Sequence, residues 1–269
     1  MKIVIVGYGW LGRQLALPLA REGHQLLVTR RSSDVLAKLP ATISGQVLNL
    51  ELSDFTENKQ LLELFNAALV VCAIPPGRGD AGNNYQTSLQ NLYQLMVRAK
   101  STAVIHCSST GIYQGNTGQV DESSELFSLH PRVQLLYAGE QALQQFPHCI
   151  TLRLAGLMGP GRHPGHSVAG KTLSNPNGAV NMVHALDILS AVKTLIADNA
   201  WSSGLYNLSC PVLITREEFY LQAAELAQTE VTFVQDATPS RHVLAEEFCR
   251  KFDFKYRFSS AADALTYCF

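Results

Sequence analysis

Hydrophobic positions in this chain fall into short β-branched runs separated by stretches in which they recur every three or four residues. The first run is Lys2-Ile3-Val4-Ile5-Val6, and behind it Leu11, Leu15, Leu17, Leu19 and Ala20 follow helical spacing. The alternation continues with strands at 25–29, 44–50, 68–73 and 103–107 and helices at 58–65 and 85–99. The last of these carries Leu89, Leu92, Leu95, Met96 and Ala99 on one face. Apolar runs of this kind with short links predict a parallel sheet with helices on both faces. Beyond residue 153 the pattern loosens. Residues 156–177, rich in Gly, Pro, Ser and His, read largely as loop, and a loop that long in a compact domain is usually functional. A helix at 187–197, a strand at 205–208, a helix opened by Thr215, a strand at 231–234, a helix at 243–252 and a strand at 254–258 complete the expected elements.

The chemistry begins where the first strand ends, at Gly7-Tyr8-Gly9-Trp10-Leu11-Gly12. A G-x-G-x-x-G between a buried strand and a helix is the phosphate-binding turn of a Rossmann unit; a ligand-free turn is the alternative. Gly7 allows the tight turn, Gly9 keeps the backbone open to a diphosphate, and Gly12 lets the helix approach the sheet. The helix N-terminus then faces the diphosphate. The second strand ends in Arg30-Arg31, where an NAD site usually carries an acidic residue about 20 residues past the glycines. Two guanidinium forks suit the 2′-phosphate of NADP, and NADP is favoured over NAD; solvated loop charges are the alternative. Ala73, Ile74 and Pro75 end the fourth strand at the carboxyl edge, where ligands bind in open α/β sheets, and Ser108 ends the fifth. The fold class is therefore α/β, a doubly wound parallel Rossmann sheet plus a small C-terminal α+β substrate lobe. Residues 1–154 form the NAD(P)-binding domain, completed by about 180–209, with 155–179 and 210–269 as the lobe.

At 269 residues with a formal net charge of −1 and no basic run, the chain gives no sign of nucleic acid or membrane as partner. No apolar run is long enough to span a bilayer. A strand starting at the second residue leaves no room for a signal peptide, so a cytoplasmic location is expected. Cys72, Cys107, Cys149, Cys210, Cys249 and Cys268 are dispersed without C-x-x-C spacing and read as thiols in a reducing compartment. His163 and His166 flank Pro164-Gly165 with no obvious third ligand, and no metal site is expected.

Five further stretches carry a family resemblance: Cys107-Ser108-Ser109-Thr110-Gly111-Ile112-Tyr113 with Val120-Asp121-Glu122, then Leu152 to Arg162, Val180 to Asp187, and Gly204 to Ser209. With the glycine turn they resemble, in order, the extended and atypical short-chain dehydrogenase/reductase superfamily, close to its NAD-dependent epimerase/dehydratase group. The resemblance implies a catalytic pair at Ser109 and Tyr113. It also implies a substrate pocket drawn from the 156–177 region and the C-terminal part, with Arg162, His163, Lys171 and Arg241 as candidates. His184 and Asp187 match a family pair of mainly structural role. The family's Tyr-x-x-x-Lys precedes a helical Glu; taking Glu140 as that Glu puts Arg132 and Leu136 at the two positions. Both halves of the dyad are missing. Tyr137-x-x-x-Gln141 lacks the cation, and Tyr137 points about 100° away from position 136 on a helix.

Two functions are expected from this. One is an NADP-dependent oxidoreductase or nucleotide-sugar epimerase/dehydratase-like enzyme on a small polar substrate, with Tyr113 as proton donor beside Ser109. The other is a redox-silent NADP-binding sensor or scaffold, as the absent dyad suggests. By family analogy a homodimer would form through helices 85–99 and 130–145.

Overall fold

The structure, a computed structural model, describes residues 1–52, 58–77, 84–236 and 238–269. In chain order the elements are β1 (Lys2–Val6), α1 (Trp10–Arg21), β2 (Gln25–Arg30), β3 (Ile43–Val47), α2 (Lys59–Phe65), β4 (Leu69–Cys72), α3 (Tyr85–Ala99), β5 (Ala103–Ser109), β6 (Gly118–Val120), α4 (Pro131–Gln144) and β7 (Cys149–Leu154). There follow β8 (Gly156–Met158), α5 (Pro164–Val168), β9 (Lys171–Leu173), β10 (Met182–His184), α6 (Ala185–Asp198), β11 (Gly204–Leu208), α7 (Arg216–Leu226), β12 (Val231–Phe233), β13 (Arg241–Val243) and α8 (Glu246–Phe252). The chain divides into two compact units, one of residues 1–112, 131–152 and 199–205, the other of 113–130, 153–198 and 206–269.

Seven strands form one sheet in the order β11-β7-β5-β4-β1-β2-β3, with β1 parallel to both β2 and β4, β2 parallel to β3 and β4 parallel to β5. This is the doubly wound Rossmann order, and the winding reverses between β1 and β4. Within the first unit, alternation along β1 sends side chains to two faces. Val4 and Val6 join Val70, Cys72 and Val104 in a core closed by α2, α3 and α4. Ile5 lies under α1, against which Gly12 is pressed. Asn58 caps α2 through a bond from Leu61 N to its Oδ1 (3.0 Å).

The second unit is built from three two-stranded parallel ladders, β8–β10, β9–β12 and β6–β13, and a core of Met158, Ile214, Phe219, Phe258 and Leu265. Here three expectations are corrected. Half of residues 156–177 lie in β8, α5 and β9 rather than in loop; each strand there is three residues long and pairs with a partner distant in sequence, so no local periodicity announces it. The helix expected at 243–252 starts at Glu246, because Arg241–Val243 pair with Gly118–Val120. The strand expected at 254–258 does not form. Phe254, Tyr256 and Phe258 alternate to feed aromatic clusters around Phe248 and Tyr267 rather than a ladder.

His184 and Asp187 anchor that irregular segment. Leu186 N donates to His184 Nδ1 (3.1 Å), which leaves the Nε2 hydrogen for Tyr267 O (3.2 Å). Arg257 N donates to Asp187 Oδ1 at 2.6 Å. Burial raises the Asp187 carboxyl from 3.8 to about 6, opposed by its backbone hydrogen bonds. The folded protein therefore binds more protons than the unfolded chain between about pH 6 and pH 4, and stability from this group rises as pH falls through that window. Asp187→Asn keeps an acceptor and removes the titration. Urea denaturation is expected to show wild type gaining about 1–2 kcal/mol relative to the variant between pH 7 and pH 4.5. A constant difference would contradict the assignment.

Candidate functional site

A cleft of about 320 Å³ opens in the first unit where β1 passes into α1. Its shape follows from the glycines. Gly7 has φ +100°, and a Cβ there would sit 2.9 Å from the backbone of Ala73 at the end of β4. At Gly12 a Cβ would sit 2.5 Å from Gly7 O, so α1 starts tight against the turn. Gly9 is the opposite case: a Cβ would meet nothing within 4 Å, so the space above it is open. Gly9 also caps α1 with no side-chain bond, and no acidic residue lies in the helix's first turn. Such a helix start favours an anion.

Of the residues expected at the cofactor site, Gly7, Gly9, Arg30, Arg31, Ile74 and Pro75 line the cleft. Trp10, Leu11, Gly12, Ala73 and Ser108 are not among its described lining. Leu11 is buried beneath the turn, and Ser108 points inward, donating to Glu140 Oε1 at 2.6 Å. Sequence reasoning missed Leu48, Asn49, Leu50 and Glu51 after β3, and Asn84, Tyr85 and Ser88 at the start of α3. The β2–β3 register, which sets Arg30 opposite Val47, is what brings the residues after β3 to this edge. Arg30 is half-buried with Nη1 3.5 Å from Tyr8 O, and the Arg31 side chain is 77% exposed and paired with Glu51 at 2.9 Å.

Elsewhere in the first unit lie Arg132 and Leu136, the two positions expected for the family's dyad. Around Gly111 gather Ser109 Oγ, Leu136 Cδ1 and Arg132 Nε, at 3.2, 3.4 and 3.6 Å from where its Cβ would be. Leu136 is fully buried, and Arg132 Nη1 donates to Pro76 O (2.8 Å) and Gly77 O (3.0 Å). Ser109 Oγ accepts from Gly111 N at 3.1 Å. Beneath them Tyr85 Oη and His106 Nε2 are 3.2 Å apart, and burial lowers the His106 imidazole to about 4, keeping it neutral at neutral pH.

Tyr113, expected as proton donor, has 0% exposure and belongs to a closed network in the second unit. Its hydroxyl donates to Asn207 Oδ1 (2.9 Å) and accepts from Arg153 Nη1 (2.8 Å), whose guanidinium lies 5.1 Å from the ring centre. Asn207 N donates to Glu122 Oε1 (2.6 Å), and Asn207 Nδ2 to Leu244 O (2.9 Å). Burial raises the phenol's pKa, offset in part by Arg153. The one phenolic proton is committed inside the fold.

The four expected substrate residues, all in the second unit, differ in state. Arg162 is exposed. His163, only 4% exposed, caps α5 by accepting from Gly165 N (3.1 Å) and stacks on Phe269. Lys171 is exposed, but its ammonium donates to Ser167 O (2.7 Å). Arg241 is half-buried; its Nε is buried with no hydrogen-bond partner, and among the described residues no carboxylate pairs with it. Burial lowers its guanidinium pKa, as expected for a desolvated cation.

A doubly wound sheet with this glycine cradle defines the class as a dinucleotide-binding Rossmann protein. The chain belongs to the NAD dependent epimerase/dehydratase family, whose model matches residues 3–175. Protein YeeZ of Escherichia coli K12 is 30% identical over 264 residues, covering 96% of both chains. The fold is shared with UDP-glucuronic acid 4-epimerase from Bacillus cereus in complex with NAD (14% identity, TM-score 0.79, 99% and 97% of the two chains). It is shared equally with MoeE5 in complex with UDP-glucose and NAD (16% identity, TM-score 0.78, 100% and 97%). Among the described residues, no helix is long and apolar enough to cross a membrane.

Tyr113→Phe would leave Arg153 Nη1 and Asn207 Oδ1 without their shared partner. Chemical denaturation is expected to show a loss of about 1–3 kcal/mol. A variant as stable as wild type would show that the hydroxyl network carries no load.

Proposed function

We propose that the protein is an NADP-dependent oxidoreductase of the epimerase/dehydratase type, acting on a small anionic substrate of the nucleotide-sugar class. The observation that carries the cofactor choice is the arginine pair, Arg30 and Arg31, lining the cleft at the end of β2 where an acidic residue would serve NAD. The cleft suits the group: open space over Gly9 and an uncapped helix start for the diphosphate, apolar Leu48, Leu50 and Ile74 for the adenine ring, and two guanidiniums for the 2′-phosphate. Once bound, the cofactor supplies the hydride chemistry; positioning and proton handling fall to the protein.

For that handling Ser109 is the better hydroxyl. It accepts from Gly111 N and keeps its own hydrogen to donate to a substrate oxygen, whereas the Tyr113 proton is already used. Arg241, desolvated and without a carboxylate partner among the described residues, supports an anionic substrate such as a sugar diphosphate. MoeE5 with its bound UDP-glucose and the UDP-glucuronic acid 4-epimerase, which have the same fold, point the same way. Five of six cysteines are buried as free thiols, which fits a reducing cytoplasm. Exposed Val97 on α3 and Tyr137 on α4 support pairing of two copies through these helices.

A second reading, a redox-silent NADP binder, is favoured by the buried Leu136, the anchored Arg132 and the locked Tyr113. Turnover separates the two. The enzyme reading requires a UDP-sugar or related anion to be converted with NADP(H). The sensor reading requires no turnover and unequal affinities for NADP⁺ and NADPH, because ligands bound equally shift no equilibrium. For the cofactor, calorimetric titration is expected to show both NADP forms binding at least about tenfold more tightly than NAD⁺ and NADH. Arg30→Ala is expected to remove about tenfold or more of NADP affinity, the scale of one hydrogen bond between charged groups, and to change NAD affinity less than about twofold. Equal losses for both would overturn the phosphate assignment.

A further inference from the structure

Glu51 brings a negative charge into a cleft otherwise suited to anions. Its position is built from several sides. Leu48 N donates to Arg30 O (2.8 Å), Asn91 Nδ2 to Leu50 O (2.7 Å) and Glu51 N to Asn49 Oδ1 (3.1 Å), which together hold the backbone after β3 against β2 and α3. Both carboxylate oxygens are engaged: Oε1 by Arg31 Nη1 (2.9 Å), Oε2 by Asn84 Nδ2 (3.1 Å). Glu51, Arg31 and Asn84 all line the cleft. A surface ion pair between freely moving chains would not combine this fixed backbone with two directed bonds.

We infer that Glu51 is a specificity-determining residue that sets how strongly the protein prefers NADP over NAD, by competing with the 2′-phosphate for Arg31. This rests on the NADP reading above. Arg31 has no other charged partner among the described residues, and its side chain is 77% exposed. For a phosphate to be gripped by both arginines, Arg31 must leave the Glu51 carboxylate. Arg30, which has no carboxylate partner among the described residues, carries the phosphate contact with no such exchange. The dinucleotide without a 2′-phosphate leaves the Arg31–Glu51 pair intact. The pair thus weakens NADP binding selectively, and its exposure keeps the effect small and sensitive to salt.

The test is calorimetric titration of the full chain with NADP⁺ and NAD⁺ for wild type, Glu51→Gln, Arg31→Ala and the double variant, with a melting curve on each to verify folding. Glu51→Gln is expected to raise NADP⁺ affinity about two- to fivefold, the range of one exposed ion pair, and to leave NAD⁺ affinity within about twofold. In the Arg31→Ala background the same substitution is expected to change neither affinity. If the gain persists without Arg31, the carboxylate acts by direct repulsion of the phosphate and the competition is overturned. If wild type prefers NADP but Glu51→Gln gives no gain, or an equal gain for both dinucleotides, the inference falls while the NADP reading stands. If wild type shows no preference and Arg30→Ala loses nothing selectively, the NADP reading falls and takes this inference with it.

Discussion

The contact on which the cofactor unit depends is the close approach of bare backbone at the end of β1. Gly7 turns with a positive φ against Ala73, and Gly12 of α1 lies against the Gly7 carbonyl, at a separation a Cβ could not share. Two absent methyl groups thereby set where α1 begins. From that follow the direction of the helix start, the open space over Gly9 and the meeting of the β1, β2 and β4 ends at one edge. The large apolar core beneath, from Val4 to Cys149, stabilises the sheet. The glycine contact sets α1 close to the turn and leaves the cleft open above Gly9.

Around this cleft, charge is placed with restraint. Arg30 and Arg31 create an anion-attracting edge, and Glu51 with Asn84 restrains one of them. Of the deeper polar groups, Ser108 is bonded to Glu140, and Tyr85 to His106 Nε2, while His106 Nδ1 is buried without a hydrogen-bond partner. Buried polar pairs of this kind cost little when bonded and much when one partner is removed. They read as supports of the β5 strand end.

In the second unit a polar group is likewise bonded within the fold. Tyr113, Glu122, Arg153 and Asn207 come from four of the stretches that carry the family resemblance, and they meet as one hydrogen-bonded lock. The matched stretches thus have two kinds of surroundings here: the glycine turn borders an open cleft, and Tyr113 is enclosed in a hydrogen-bonded network. The contrast between Arg153, bonded to Tyr113, and Arg241, half-buried without a carboxylate among the described residues, is what distinguishes a structural cation from a candidate ligand contact.

The sequence by itself determined the parts governed by local rules. Periodicity marks α3 at about Tyr85–Ala99, Thr215 is legible as the cap of α7, and G-x-G-x-x-G with Arg30-Arg31 points to the cleft. These are readable because β-branched runs, 3.6-residue spacing, capping and glycine backbone geometry act over a few neighbouring residues. Only the tertiary structure decided the rest. The ladders β9–β12 and β6–β13 join segments about 60 and 120 residues apart, and their three-residue strands carry no periodic signal. Whether a hydroxyl is free or spent depends on such distant partners: Tyr113 is closed by Asn207, and Ser108 by Glu140. So does the fate of Arg31, whose partner Glu51 is brought to it by the register of two parallel strands.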